Sequence, residues 1–283
     1  MTTPRKVAGK KVAADRRLQQ GGNLEWIPLG LTRVNPNSQR EFVQAKADKI
    51  LAKFDPEHFG QPVLNHRDGF YYIIDGQHRI DAYKNWCGEG WEEQQIQGWV
   101  FDGLSEAQEA EAFLIRNDAM SVNAYNKFRV GVIAGRPDET QVSYIVHSIG
   151  LVISLERNAD NSVGAVGTLL RVFREFGPDT LARVLKVIRD AYGKAGLEAN
   201  IIFGLSRVVA RYNEDFRDDE AITRLSKAYG GVGGVLNKAE RDRKATGLAK
   251  MDCISAALVG AYNAGGRGQS LAGKNLKDWW KEY

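Results

Sequence analysis

Asp75-Gly76-Gln77-His78-Arg79 is the stretch of this chain whose residue types and spacing offer the most chemistry. A helix that opens just after a glycine turn presents unpaired backbone N–H groups and the positive end of its dipole. Such an end holds anions, and a histidine and an arginine in its first turn would add two side-chain donors. Gly76, Gln77, His78 and Arg79 could therefore hold a phosphate, from a nucleotide or from a nucleic-acid backbone. The same residues also read as a purely structural corner with Asp75 as helix cap, and local chemistry leaves both readings open. His78 can donate to a phosphate or exchange a proton near neutral pH, or simply face water at the helix start. A metal cage is not implied. His66 and Asp68 sit on a hairpin away from the Asp75 end, and neither His-x-x-x-His nor paired cysteines occur. A Mg²⁺ would have to arrive with a nucleotide.

The elements that position this corner follow from pattern. Phe70 to Ile74 is aromatic and β-branched, which suits a strand. Ile80, Tyr83 and Cys87 recur at helical spacing after the turn. Pro62 to His66 is a strand pairing with Phe70 to Ile74 across Arg67-Asp68-Gly69, a hairpin signal. Leu24 to Leu29 and Ile96 to Phe101 supply further strands. Val43, Ala47, Ile50, Leu51 and Phe54 make an amphipathic helix that Pro56 stops. Strands alternating with helices give an α+β or α/β first domain built around a small sheet.

An ordered set of motifs resembles the ParB/sulfiredoxin superfamily: Ile-Pro beside Trp26, Asn-Pro-x-x-x-Arg at Asn35 to Arg40, an amphipathic helix, Gln-Pro-Val at Gln61, then IIDGQHRIDA at Ile73 to Ala82. The resemblance covers roughly Leu24 to Phe101. It implies a ParB/sulfiredoxin-like α+β domain, a small mixed sheet with helices, followed by a mostly α-helical domain. Partition proteins of that family carry Gly-Glu-Arg-Arg where Gly76-Gln77-His78-Arg79 stands, and sulfiredoxins carry Gly-Cys-His-Arg around ATP phosphates. Arg40 matches an arginine on the nucleotide side of the corner; read alone it is a solvated surface residue. Gln77 excludes sulfiredoxin repair, because an amide supplies no thiolate. The missing glutamate puts ordinary CTP hydrolysis in doubt. The resemblance implies a ParB-like DNA-binding protein of plasmid or phage origin, with a nucleoside triphosphate and Mg²⁺ as the cofactor it would take and a homodimer as its assembly. The alternatives are a nuclease or nucleotide-using enzyme, with Asp75 or His78 as acid–base group and Arg40 and Arg79 on the phosphate, and an interaction protein that kept the fold and lost the chemistry.

Composition sets the outer bounds. The 283 residues suffice for one large domain or two and for a substantial core. No apolar run approaches a membrane span, and the start lacks a signal-peptide core, so no membrane partner is expected. Cys87 and Cys253 are too few for a disulfide framework, which fits a reducing cytoplasm. Cys87 falls on the helical stripe and reads as a small core residue. Of the net charge of +4, residues 1–17 hold Arg5, Lys6, Lys10, Lys11, Arg16 and Arg17 against Asp15 alone, a balance of +5. Residues 1–23 thus read as a basic, flexible tail suited to a polyanion such as DNA, or to mere solubility.

The domain boundary is expected after residue 103, giving a sheet domain over 24–103 and a helical domain over 104–283. Ser105-x-x-Gln108 is a capping-box start. Glu139 to Leu155 has the outline of a helix-turn-helix, but a bundle hairpin is the preferred reading, since Asn158 to Ser162 would cut the second helix short. Helices are expected around Val163 to Phe176, Thr180 to Tyr192, Ile201 to Tyr212, Glu220 to Tyr229 and Met251 to Tyr262, parted by Pro178 and the glycine run at 230–234. Arg183, Lys186 and Arg189, spaced by three, would form a basic edge for DNA; Arg241, Arg243 and Lys244 form a second basic cluster. Trp279 and Trp280 should dock on the body.

Overall fold

The computed structural model describes residues 22–117, 123–156, 159–265 and 275–280. The basic residues Arg5, Lys6, Lys10, Lys11, Arg16 and Arg17 lie outside them. The chain divides into two compact units after Gly135.

The first unit is a five-stranded mixed sheet with helices. In chain order it runs β1 (Asn23–Pro28), β2 (Thr32–Arg33), α1 (Gln44–Leu51), β3 (Val63–Arg67), β4 (Phe70–Asp75), α2 (Gln77–Cys87), β5 (Gln95–Asp102), α3 (Glu106–Arg116) and α4 (Ala124–Ile133). The strand order is β1-β5-β3-β4-β2, with β5 parallel to β3, β2 parallel to β4, and the other pairs antiparallel. Arg67 pairs with Phe70 across a two-residue loop in which Asp68 and Gly69 both take positive φ, 54° and 76°. That turn matches the twist of the flanking strands, as Asp-Gly foretold.

Both faces of the sheet are buried, which explains where the unit ends. Leu64 and Ile73 join Ile27, Ile96, Val100 and Ile80 of α2 on one face. Their neighbours Val63 and Ile74 point the other way, onto Phe101, Leu104, Phe113 and Val130. Without α3 and α4 that second face would stand bare, so the expected boundary at 103 falls inside the compact unit. Ser105 and Gln108 do form the capping box that opens α3. Helix α1 is shorter than its apolar stripe, with only Ala47 buried and Val43 41 % exposed. Cys87 is half-buried at the end of α2, at the margin of the core rather than within it.

The second unit is helical: α5 (Pro137–Ser148), two short parallel strands β6 (Val152–Ile153) and β7 (Ser162–Val163), then α6 (Val166–Tyr192), α7 (Ala199–Tyr212), α8 (Asp218–Lys227), α9 (Val232–Thr246) and α10 (Lys250–Gly265). Neither the bundle hairpin preferred over 139–155 nor its helix-turn-helix alternative forms. Gly150, at φ 77°, ends α5, and the β-branched pair Val152-Ile153 goes into β6 instead of a second helix. Pro178 breaks α6 as expected, with Gly177 at φ 87° inside it. The glycine run does not only separate helices. Gly233 and Gly234 lie within α9, and a Cβ on Gly234 would stand 1.6 Å from the Tyr229 carbonyl oxygen. Trp279 docks, with the Arg207 and Arg211 guanidiniums 5.1 and 4.7 Å from its ring centroid, while Trp280 stays half-exposed. Among the described residues no helix is long and apolar enough to cross a membrane.

Candidate functional site

The Asp75-Arg79 corner has the expected backbone. Gly76 adopts φ 98° and α2 begins immediately after it, without a side-chain cap from Asp75 or any other residue. The side chains divide between two sides of this corner. Arg79 turns to one side, where Nη2 meets Asp75 Oδ2 at 3.3 Å and Nη1 donates to the Phe59 carbonyl at 3.2 Å. On that side a Cβ on Gly76 would stand 3.0 Å from Pro62 Cβ and 3.1 Å from Arg79 Nη2. The space beside Gly76 is thus filled, and Arg79 and Asp75 neutralise each other at one turn of spacing. Their expected parts as phosphate ligand and acid–base group are occupied by this pair.

The other side opens into a cleft of about 610 Å³. Gln77, Ile80, Asp81 and Lys84 line it from α2, one helix face at i, i+3, i+4 and i+7. The loop before α1 contributes Arg40, Glu41 and Phe42, and α4 contributes Tyr125 and Arg129. Several buried hydrogen bonds hold that loop in place. Gln39 Nε2 donates to the Ile73 and Ile74 carbonyls at 2.7 and 2.6 Å. Arg129 donates to the Pro36 carbonyl at 2.8 Å and to the Gln39 carbonyl. Glu109, 1 % exposed, accepts from Asn35, Ser38, Asn65 and Arg67. A buried carboxylate satisfied this fully is a rigid post, and it fixes the Asn35-to-Arg40 turn that delivers Arg40.

His78 is buried between the corner and this loop, its ring stacked on Phe42 with centroids 4.9 Å apart. The backbone N–H of Val43 donates to Nε2 at 3.1 Å. A backbone amide can only donate, so Nε2 carries the lone pair and the ring proton sits on Nδ1. Nδ1 lies 3.4 Å from Arg40 Nη2, so two donors face one point. Burial first, then Arg40 and Lys46, pull the His78 pKa down from 6.5 to about 4. His78 is therefore neutral at pH 7, with its basic nitrogen already used. That suits a fixed hydrogen-bond donor.

Gln77 is 4 % exposed, donates from Nε2 to the Arg40 carbonyl at 3.3 Å, and leaves Oε1 without a partner among the described residues. Arg40 and Lys84 have no carboxylate within ion-pairing distance among the described residues, in contrast to Arg67 and Arg79. Lys84 donates to Thr32 Oγ1 at 2.9 Å and lies 4.2 Å from the centre of the Trp91 ring. Burial first, then Arg33, lowers its pKa. Burial raises that of Asp81, against the pull of Lys84. No group of three metal-ligating side chains occurs among the described residues. His66 pairs with Asp102 at 3.1 Å, away from the corner.

The expected basic edge on α6 is largely neutralised. Arg183 bonds Asp218 through two nitrogens, at 2.8 and 3.1 Å, and also donates to the Phe216 carbonyl. Arg189 pairs with Asp190 at 2.7 Å and donates to the Ile149 carbonyl, which leaves Lys186 exposed between them. Arg243 pairs with Glu240. Of the expected site residues, the cleft therefore brings together Arg40 and Gln77, with His78 behind them. Lys84, Tyr125 and Arg129 line it, and Glu109 supports the loop behind it, without having been expected from sequence. Only Lys84 had a signal, its seven-residue spacing from Gln77 along one helix.

No curated protein matches the chain. Among solved structures it is similar to the C-terminally truncated chromosome-partitioning protein ParB from Caulobacter crescentus complexed with CTP-γ-S, at 15 % identity over 58 % of this chain and 99 % of that one, with a TM-score of 0.28. It is also similar to that truncated protein complexed to the centromeric parS site, at 13 % identity over 82 % and 98 %, with a TM-score of 0.33. Likeness at this level carries no chemistry over, and the residues of this chain decide its own. Residues 35–275 match a family described as a family of unknown function, DUF6551, and the chain belongs to that family.

Proposed function

We propose that this protein binds a nucleotide through its phosphates in the cleft between α2, α4 and the loop before α1, and acts on DNA as a ParB-like binding protein. One observation carries the first half: Arg40 and Lys84, two cations with no carboxylate within ion-pairing distance among the described residues, line the same cleft. Cations held at a partly buried surface without a direct ion pair attract a multiply charged anion. The neutral Nδ1–H of His78 beside Arg40 adds a donor without adding charge. Phe42 and Tyr125 offer rings against which a planar base can lie, and the lining is largely apolar otherwise. A Mg²⁺ arriving with the nucleotide would find Glu41 and Asp81 on the cleft wall.

Binding, rather than turnover, is the reading the side chains favour. Asp75 is committed to Arg79, and His78 has its basic nitrogen occupied. DNA as partner rests on the +5 balance of residues 1–17, a charge that would act through counterion release. Calorimetric titration of the full chain with a panel of nucleoside triphosphates, with and without Mg²⁺, tests the first half. Saturable binding of at least one is the expected result, and heats no larger than dilution for all of them would refute it.

A further inference from the structure

The amide of Gln77 is treated unequally by its surroundings. Nε2 is used, on the Arg40 carbonyl, whereas Oε1 is buried with no hydrogen-bond partner among the described residues. The residue is 4 % exposed and forms part of the cleft lining, in the first turn of α2. A buried acceptor left unpaired weighs against folding, and replacement by an apolar side chain of like shape would remove that penalty. A group that stability does not require, at the floor of a cleft, is best explained by what enters the cleft.

We propose that Gln77 Oε1 is the specificity contact of the cleft, accepting a hydrogen bond from an N–H or O–H group of the bound nucleotide, a base amine or a ribose hydroxyl. The proposal rests on the nucleotide reading above and deepens it. Arg40 is the residue bonded across the same amide and is itself only half-buried. Nε2 stays on the Arg40 backbone carbonyl, so the amide is held with Oε1 at its other end, and a ligand donor reaches Oε1 by displacing the side chains that cover it. Phosphate contacts supply most of the affinity but cannot tell one nucleotide from another. An acceptor that stays orphaned unless the ligand brings a donor can, because the wrong ligand leaves it buried and unpaired.

The test is calorimetric titration of the full chain, wild type and Gln77→Met, with inorganic tripolyphosphate, ATP against ITP, CTP against UTP, and 2′,3′-dideoxy-ATP against ATP. Methionine keeps length and bulk but offers no amide oxygen. In wild type, removing the donor that meets Oε1 should weaken binding by about tenfold or more. A loss on going to ITP or UTP assigns the donor to the base, and a loss on going to dideoxy-ATP assigns it to the sugar. Gln77→Met should bind all of these nucleotides within about threefold of one another, whatever its affinity for tripolyphosphate, with circular dichroism reporting its fold. Gln77→Glu, which keeps an acceptor, should retain the preference if the methionine variant fails to fold. Tripolyphosphate binding as tightly as every nucleotide, or discrimination surviving in Gln77→Met, overturns this contact while leaving the phosphate reading intact. Wild type that binds neither tripolyphosphate nor any nucleotide overturns both.

Discussion

The backbone N–H of Val43 donates to His78 Nε2 at 3.1 Å, so a ring on the first turn of α2 caps the start of α1. This hydrogen bond sets the tautomer of His78 and anchors the loop that carries Arg40. The same imidazole therefore serves the fold and leaves one N–H facing the cleft side of the corner.

The pH dependence of stability follows from it. A histidine whose pKa falls from 6.5 to about 4 on folding binds its proton more readily in the unfolded chain. Stability from this group is complete above the unfolded value and is lost as pH falls from about 6.5 toward 4. Between pH 7 and pH 5 the loss should be about 2 kcal/mol more in wild type than in His78→Gln. Urea unfolding of both proteins at the two pH values measures it, and equal losses would remove His78 as the cause.

Glu109 is the post behind the Asn35-to-Arg40 turn. Replacing it by alanine takes the carboxylate from Arg67 and from three neutral donors around a buried gap, although Asn35 keeps Glu106, Asn65 keeps the Leu104 carbonyl and Arg67 keeps Asp68. The expected cost is about 3–5 kcal/mol, typical for removing one partner of a buried pair. Chemical denaturation of Glu109→Ala checks this; a midpoint close to that of wild type would show that the turn is held in another way.

Arg79→Ala separates the two sides of the corner. Because Arg79 faces Asp75 and Phe59 rather than the cleft, tripolyphosphate affinity should change by less than about threefold, while stability falls by about 1 kcal/mol, in keeping with a partly exposed pair. A tenfold loss of affinity with unchanged stability would reverse this assignment.

Residues 1–17 hold the charge that should drive DNA binding. Their deletion removes six cations and one carboxylate. It should weaken binding to a random-sequence duplex and flatten the slope of log affinity against log salt, by roughly one unit or less for each phosphate no longer neutralised. Fluorescence anisotropy at several salt concentrations reads both, and an unchanged slope would show that other residues neutralise the DNA.

Local pattern foretells much of this fold and rather less of the site. The Asp68-Gly69 hairpin, the helix opening after Gly76 and the break before Pro178 all follow from backbone rules that act over a few residues. The pairing of Arg79 with Asp75 is also within reach, since the two stand four residues apart across the helix start. The position of the domain boundary depends on noticing that Ile73 and Ile74 are apolar in succession, a sign that both sheet faces need cover. Glu109 is invisible for a different reason. It looks like any surface glutamate of an amphipathic helix, and only long-range hydrogen bonds from Asn35, Asn65 and Arg67 make it a buried hub. The charge of Arg183 is legible on α6, but nothing in its neighbourhood of the sequence shows that Asp218 reaches it from the start of α8.

If Arg40 and Lys84 together hold a phosphate group, their removal must abolish binding of an anion that carries no base or sugar. Tripolyphosphate is therefore to be titrated into the wild-type chain and into Arg40→Ala, Lys84→Ala and the double variant, with thermal unfolding as the control for folding. Saturable binding is expected in wild type, a loss of about tenfold or more in each single variant, and no measurable binding in the double variant. Binding undiminished in the folded double variant, or absent from wild type, would contradict the assignment of these two cations.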